Sequence, residues 1–229
     1  MAMKFPAKIA FGFLWEKMKM LFRDFKYFVA LLLVLLPSFV FSQVKKDALV
    51  LYRNGNYAEA IAVCEQEITE NPKRLESYVV MCWALVRNKQ YAEAEQRALA
   101  GLEISSYDLR LIESLAEARY YLGKNNGALE QFQRYVNAAP ENANRLGAAY
   151  YYMGEIYIRQ ARYQHADIAL TAAVKSEPVY GNWWVRLGYA REMAKNYYEA
   201  VNAYDEALRL NPQSVEAERG RARVSAKIQ

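Results

Sequence analysis

Helix-ending breaks recur along this chain at a nearly constant interval, and that interval limits the fold more than any other feature. Counting back from Pro212, the breaks fall at Pro178, Pro140, Ser106 and Pro72. Only the step between Pro178 and Pro140 is longer than the others. Proline ends a helix because it lacks the amide donor and clashes with the preceding turn. The interval therefore predicts five units of similar structure.

Pairs of small residues follow the same interval. Helices in close contact need small side chains where they cross, because bulk there forces the axes apart. In every unit two such residues lie twelve positions apart: Ala48 with Ala60, Cys82 with Ala94, Ala116 with Ala128, Gly154 with Ala166, and Gly188 with Ala200. An aromatic residue also recurs after the turn as Tyr57, Tyr91, Tyr163 and Tyr197, and Asn125 interrupts that series. We therefore predict an all-α chain of five helix pairs.

The stretch Gly181 to Pro212 resembles a tetratricopeptide repeat. The residues that carry the resemblance are Trp184, Leu187 and Gly188, then Ala200, Tyr204 and Pro212, although Arg191 stands where the signature prefers Tyr. The resemblance implies a right-handed α-solenoid with units at about 43–74, 75–108, 109–142, 147–180 and 181–212, because one unit cannot bury its apolar face alone. A polar capping helix over 214–228, with Ser214 as its N-cap, is expected to cover the last unit.

Four extra residues interrupt the interval between Glu141 and Leu146. Either the loop is longer, or the first helix of the fourth unit begins a turn early. We expect the early helix, because Asn142 or Asn144 is a suitable N-cap and an apolar stripe continues from Leu146. The insertion is either ordinary or a local change in curvature, and the sequence does not separate these two readings.

Residues 1–42 differ in kind from the repeats. Tyr27 to Phe41 is a short apolar run, preceded by Lys and Arg and followed by Ser42. The run is shorter than the roughly 20 residues that a membrane-spanning helix needs. The segment resembles a secretory signal peptide cleaved after Ser42, which predicts a periplasmic or otherwise exported protein. The alternative is an uncleaved anchor in the cytoplasmic membrane.

The basic charge of the chain comes mostly from this leader. Residues 1–42 contain six Lys and Arg against two Asp and Glu, whereas residues 43–229 contain 24 against 23. A nucleic-acid-binding domain needs a basic face on the folded part. The near-neutral repeats therefore argue against nucleic acid as a partner.

The sequence contains no recognisable catalytic or metal-binding arrangement. The one histidine, His165, offers neither a metal site nor a base with an orienting partner, and we expect it on a solvated helix face. Glu113 and Glu117 lie one helical turn apart, and we expect them to be solvated too. A hydrolase or transferase in a helical frame would lack a nucleophile–base pair. We expect a non-enzymatic protein with no cofactor and no metal.

Cys64 and Cys82 occupy neighbouring helices of the first and second units. Export would expose them to oxidising conditions in which a disulfide persists. Against a disulfide, both positions are core positions, where free Cys is common. Cys64–Cys82 is thus a candidate disulfide, with two buried thiols as the alternative.

The resemblance further implies that the first helices line a concave groove that binds a peptide segment or a helix of a protein partner. Aromatic residues and Arg, which carry most interface energy, dominate the side of these helices opposite the core. The predicted groove residues are Tyr52, Arg53, Trp83, Arg87, Arg110, Glu113, Glu117, Tyr121, Tyr151, Tyr152, Glu155, Arg159, Arg186 and Tyr189. We expect Arg53, Arg87 and Arg159 to grip a carboxylate or a peptide backbone. The alternative is that some of these side chains only close the seams between units.

The sequence therefore predicts an exported, non-enzymatic protein–protein interaction scaffold. The alternative is a membrane-anchored assembly factor for an envelope or membrane complex. The oligomeric state and the identity of the partner are not encoded in any pattern we recognise.

Overall fold

The computed structural model describes residues 17, 19, 20 and 46–228. The chain divides into two compact units, residues 1–46 and 47–229. The apolar run from Tyr27 to Phe41 and the expected cleavage point after Ser42 lie outside the described residues. Within the described part, no helix is both long enough and apolar enough to cross a membrane.

The second unit is an all-α solenoid of five helix pairs and one further helix, as the sequence predicts. The helices are α1 (Ala48–Arg53), α2 (Tyr57–Glu70), α3 (Leu75–Arg87), α4 (Tyr91–Ile104), α5 (Leu109–Tyr121), α6 (Asn125–Ala138), α7 (Leu146–Arg159), α8 (Tyr163–Ser176), α9 (Gly181–Met193), α10 (Tyr197–Leu210) and α11 (Val215–Ile228). The recurring tyrosine is the first residue of the second helix in every pair except the third.

The helices meet where the small residues predict that they should. All ten members of the small pairs are buried. At Gly154, an added Cβ would lie 2.5 Å from Cγ of Leu170, and at Gly188 it would lie 2.8 Å from the Tyr204 ring. The axes therefore approach so closely that even a methyl group would require one of these side chains to move.

The two helices of each pair are joined by a turn with one residue in the left-handed region. Gly55, Gly123 and Lys89 have φ of 80°, 74° and 61°, and Ala161 and Lys195 have φ of 54° and 66°. These five positions follow the same interval as the helix-ending breaks, including the longer step between the third and fourth units. The repeat is thus a backbone pattern, which holds even where the side chain is not glycine.

Capping of the helices is uneven. The side chains of Asp47 and Asp108 accept hydrogen bonds from the first amides of α1 and α5. The Ser214 hydroxyl accepts one from the Ala217 amide at 3.3 Å, as predicted for α11. The acidic first turn of α11 and Lys227 in its last turn complement the helix dipole.

The expected early start of the fourth unit is wrong. Helix α7 begins at Leu146, only one residue ahead of the position that the interval gives, and its N-cap is Arg145 without a side-chain cap. The insertion instead folds as two consecutive turns, in which the Ala143 amide donates to the Pro140 carbonyl and the Leu146 amide to the Ala143 carbonyl. The loop is longer, and α6 packs less extensively on α7 than the other second helices pack on the helix that follows them.

The adjacent residues Trp183 and Trp184 differ in burial and in the contacts that they make. Trp184, one of the residues that carry the resemblance, is half-buried and donates through Nε1 to the Pro178 carbonyl at 2.9 Å. Trp183 is the more deeply buried ring and packs against Tyr151 with centroids 5.1 Å apart. The polar indole nitrogen explains the difference, because Trp184 is placed where that nitrogen reaches a carbonyl.

Candidate binding groove

The first helices of the five pairs form one continuous wall. Each first helix contacts the first helix of the next pair, whereas no second helix contacts another second helix within residues 46–228. When the helices on one side of a stack are closer together than those on the other side, the stack curves toward the closer side. The first helices therefore form the inner, concave side. The predicted groove residues all belong to α1, α3, α5, α7 and α9, and therefore to this inner wall.

The last residue of every first helix forms a row along one edge of the wall. The row consists of Arg53, Arg87, Tyr121, Arg159 and Met193, and all five side chains are exposed. Among residues 46–228, none of the three guanidinium groups has a carboxylate within ion-pair distance. The Tyr52 side chain raises the pKa of Arg87, against the lowering effect of burial. Arg159 lies 4.1 Å from the centre of the Tyr120 ring and contacts the side-chain oxygen of Asn125 at 3.3 Å.

Aromatic rings run across the wall beside this row. The Tyr52 and Trp83 rings are 5.8 Å apart at the first seam. Further along, successive ring centroids are 4.5 to 6.1 Å apart through six side chains: Tyr91, Tyr121, Tyr152, Tyr151, Trp183 and Tyr180. Rings at these separations attract one another beyond their area burial. Four of these rings belong to the first helices, and with Tyr91 at the start of α4 and Tyr180 just before α9 they form a pre-ordered aromatic chain from the second to the fifth unit.

Several predicted groove residues hold adjacent units together, which is the alternative that the sequence left open. Arg110 donates to both oxygens of Glu76 at 2.9 Å. Arg186 donates to Glu155 at 2.6 Å and lies 5.3 Å from the Tyr189 ring centre. A hydrogen bond to Asp108 leads the causes that raise the pKa of Arg110. Because their polar groups are already engaged, these residues are less available to a partner than the exposed row.

The expectation that Glu113 and Glu117 are solvated is wrong. Their side chains are only 5% and 6% exposed. Arg145 donates to Glu113 through Nε at 3.0 Å and through a terminal nitrogen at 2.6 Å, and that nitrogen also reaches Glu117 at 2.8 Å. Burial raises the pKa of Glu113 to about 7, against the opposing pull of Arg145 and with help from the neighbouring charge of Glu117. We name Glu113, Glu117 and Arg145 the buried carboxylate cluster.

The buried carboxylate cluster is connected to the aromatic surface. The Tyr152 hydroxyl donates to Glu117 at 3.0 Å, and the Tyr121 and Tyr152 hydroxyl oxygens are 3.2 Å apart. Burial raises the pKa of Tyr152 far above its usual range, and the Glu117 charge adds to this effect. Tyr152 therefore stays a hydrogen-bond donor at neutral pH and fixes the ring beside which Tyr121 lies.

Sequence reasoning missed Arg145, Tyr91, Tyr120, Tyr180 and Trp183 as contributors to the wall. One available signal was the insertion itself, because it delivers Arg145 opposite two acids of the preceding unit. Charge pairs about one repeat apart also recur at Glu76 with Arg110 and at Glu155 with Arg186. An arginine about one repeat length after an inner-wall glutamate is thus a readable sign of a seam.

The two cysteines do not form the candidate disulfide in this structure. Both are free, buried thiols. Burial raises the pKa of the Cys64 thiol to about 12, and it raises the pKa of the Cys82 thiol as well. The Cys82 sulfur lies 3.8 Å from the Ala94 carbonyl oxygen at the helix crossing. They are therefore small core residues here.

His165 is exposed, as predicted, and its ring lies 5.3 Å from that of Tyr157. Within the described residues, no group of three or more His, Cys, Asp or Glu side chains is placed to hold a metal ion.

Comparison with known proteins identifies the repeats. Three models described as tetratricopeptide repeats match residues 51–106, 147–180 and 181–214. Among curated proteins, the peroxisomal targeting signal receptor of Saccharomyces cerevisiae is 29% identical over 116 residues. That match covers 50% of this chain and only 18% of the receptor.

Solved structures share the fold at low sequence identity. MamA from Desulfovibrio magneticus RS-1 has a TM-score of 0.64 at 18% identity, over 73% of this chain and 93% of that one. YrrB, described as a TPR protein with an unusual peptide-binding site, has a TM-score of 0.63 at 19% identity, over 80% and 89%. A repeat-containing protein from Cytophaga hutchinsonii reaches 0.66 at 19% identity, over 78% and 69%. The helix pairs, their interval and the three matching models together show that this chain belongs to the tetratricopeptide repeat family.

Proposed function

We propose that this chain is a non-enzymatic scaffold that binds an extended segment or a helix of a protein partner along the inner wall of its first helices. The observation that carries the proposal is the continuous wall, with exposed arginines and ordered aromatic rings side by side. Trp, Tyr and Arg are the residue types that dominate binding energy at interfaces. Rings already held by their neighbours lose little conformational freedom when a partner binds.

The comparisons support this proposal without identifying the partner. YrrB is described as having a peptide-binding site, and the yeast receptor is named for a targeting signal. The matching family models describe repeats, and none describes an enzyme.

Binding can be tested with a phage-displayed library of short random peptides selected on the purified chain. The groove variant combines Trp83→Ala, Arg87→Ala and Tyr151→Ala. We expect the selected peptides to bind it at least tenfold more weakly in fluorescence anisotropy, because side chains at the centre of an interface each cost about 1 kcal/mol or more when truncated. Circular dichroism checks that the variant is folded.

The matched control removes three side chains from the outer, second helices: Leu99→Ala, Ile168→Ala and Tyr198→Ala. Ile168 and Tyr198 are 73% and 72% exposed. The control should bind the selected peptides as the unmodified chain does. Equal binding by the groove variant, or loss of binding only in the control, would place the binding site elsewhere and refute the proposal.

For the leader, we propose export, with cleavage after Ser42. The short apolar run preceded by Lys and Arg supports this over a retained anchor. The test is the intact mass of the protein isolated from its native cells. Loss of residues 1–42 is expected, whereas their retention would favour the membrane-anchored assembly factor instead.

A further inference from the structure

The exposed row at the edge of the inner wall carries three arginines that have no carboxylate partner within residues 46–228. Arg53, Arg87 and Arg159 end α1, α3 and α7, and no carboxylate lies within ion-pair distance of them among residues 46–228. The acids that lie along the wall already contact other arginines. Glu155 pairs with Arg186, Glu76 and Asp108 pair with Arg110, and Glu113 and Glu117 share Arg145.

The simpler explanation of the row is the helix dipole, which favours a cation in the last turn of any helix. That explanation does not account for the surroundings of the row. Arg159 lies over the Tyr120 ring, and the Tyr52 and Trp83 rings lie 5.8 Å apart on the helices that Arg53 and Arg87 end. One terminal nitrogen of Arg159 donates to the Asn125 side chain and the Tyr120 carbonyl, whereas its Nε and its other terminal nitrogen have no acceptor among residues 46–228 and remain able to bind a planar anion.

The distance between successive first helices sets the spacing of the side chains in the exposed row. Packed helix axes lie about 8–10 Å apart, and an extended peptide advances about 3.3 Å per residue. One repeat therefore corresponds to about three residues of a bound extended chain. The row reads Arg, Arg, Tyr, Arg and Met from the first unit to the fifth, so its cations stand at the first, second and fourth steps.

We propose that the partner of this groove is an extended acidic segment, with carboxylate side chains three residues apart that bind Arg53 and Arg87, an apolar or aromatic side chain against Tyr121, and a further carboxylate at Arg159. This inference rests on the proposed function and specifies its partner by charge and spacing.

The test uses a labelled ten-residue peptide with Glu at positions 1, 4 and 10, Phe at position 7 and Ser elsewhere. We expect saturable binding to the full chain by anisotropy, weakening as KCl is raised from about 50 to about 300 mM, since exposed charge pairs are screened by salt. A peptide with Lys at the three acidic positions should not bind. A peptide of the same composition with adjacent Glu residues should bind more weakly.

The variant combines Arg53→Gln, Arg87→Gln and Arg159→Gln. An exposed ion pair contributes up to about a fivefold change in affinity, so the triple variant should bind more weakly by up to about a hundredfold. Because Arg159 packs on Tyr120, the double variant without Arg159→Gln is measured as well, and it should lose up to about 25-fold in affinity. The control, Arg134→Gln with Arg209→Gln and Arg219→Gln, removes the same charge from the second helices and from α11 and should bind normally.

The outcomes separate this inference from the proposed function. Undiminished binding by the triple variant, equal binding of the Lys peptide, or equal binding of a ten-residue oligothymidylate would overturn the acidic-segment proposal. If the library still yields uncharged peptides that the groove variant cannot bind, the peptide groove stands and only the partner's chemistry is wrong. If no peptide of any charge binds, both proposals fail.

Discussion

Glu113 and Glu117 place two buried carboxyl groups around one guanidinium group, that of the partly exposed Arg145. If both carboxyl groups were ionised, the cluster would keep one uncompensated negative charge. A buried pair of acids avoids this by retaining one proton. The raised pKa of Glu113 reflects this retained proton. The Tyr152 hydroxyl donates a hydrogen bond to the other carboxyl group, that of Glu117. The third and fourth units are therefore joined through a contact that depends on pH.

The sign of this dependence follows from proton binding. Between the ordinary carboxyl pKa near 4.5 and the folded value of about 7, the folded chain holds a proton on Glu113 that the unfolded chain releases. Stability contributed by this group is therefore fully present below about pH 4.5 and is lost as pH rises to about 7. We expect unfolding free energy measured in urea to fall by up to about 3 kcal/mol across that window.

Glu113→Gln should remove this part of the pH dependence. The amide keeps an oxygen for Arg145 and leaves one carboxylate facing one guanidinium group, so the variant should be more stable than the unmodified chain at pH 8. Urea unfolding at pH 5, 6, 7 and 8 measures both effects. Glu76→Gln is the control, because Glu76 is exposed and its pairing with Arg110 lies in high dielectric. A Glu113→Gln profile parallel to that of the unmodified chain would contradict the assignment.

At the level of structural elements, substitutions in the turns within the helix pairs measure how much the left-handed backbone conformation there contributes to stability. Gly123 has φ of 74°, and no atom lies within 4 Å of a Cβ added there. Gly123→Ala therefore introduces backbone strain without a clash, and we expect a loss of about 1–2 kcal/mol. The reverse change, Ala161→Gly, relieves that strain at the equivalent turn, where φ is 54°.

The gain from Ala161→Gly should be smaller than the loss from Gly123→Ala, because glycine also increases the entropy of the unfolded chain. Thermal and urea unfolding of the two single variants measures both. Gly181→Ala is the control, because its added Cβ makes ordinary contacts at 3.5 Å or more and its φ is not in the left-handed region. If Ala161→Gly lowered the unfolding free energy by as much as Gly123→Ala does, backbone conformation at these turns would not limit stability.

Elements with local causes were predictable from sequence, and contacts between units were not. The crossing pair Gly188 and Ala200 and the N-cap Ser214 depend on neighbours within about one unit, so their spacing alone identifies them. Burial of Glu113 depends on Arg145, which arrives from a loop whose fold the sequence did not reveal. The helix start at Leu146 was misjudged for the same reason, since turns from Pro140 to Leu146 took up the insertion.

Inner-wall residues show an intermediate case. Helical spacing placed Arg110, Arg186 and Glu155 on the inner wall. It could not distinguish a side chain used at a seam from one left exposed, because that depends on a partner about one repeat away. Arg87 remains exposed because the place about one repeat before it holds Arg53 and not an acid.

For the molecule as a whole, stability is propagated from unit to unit, so the end of the stack has to be covered. Helix α11 closes the fifth unit through Val224, which is fully buried, and through Gly220, where an added Cβ would collide with the Tyr204 ring. It also supplies Arg223 and Lys227 to the buried Glu192, which accepts a hydrogen bond from Tyr204 as well. Burial alone would raise the pKa of Glu192, but the hydrogen bonds from Arg223 and Tyr204 outweigh it and the pKa is lowered.

Gly220→Ala should therefore destabilise the chain by about 1–3 kcal/mol through overpacking against Tyr204, and deleting residues 213–229 should cost more. The deletion exposes the apolar face that includes Tyr204 and leaves Glu192 without its cations, so a lower melting temperature and new binding of a hydrophobic dye are both expected. Gly181→Ala is again the control.

Because each unit contacts only its neighbours, Gly220→Ala should leave peptide affinity at Arg53 and Arg87 unchanged at temperatures where the chain is folded. If deleting residues 213–229 left the melting temperature unchanged, α11 would not cap the solenoid. If Gly220→Ala lowered peptide affinity as well as stability, the units would not act independently.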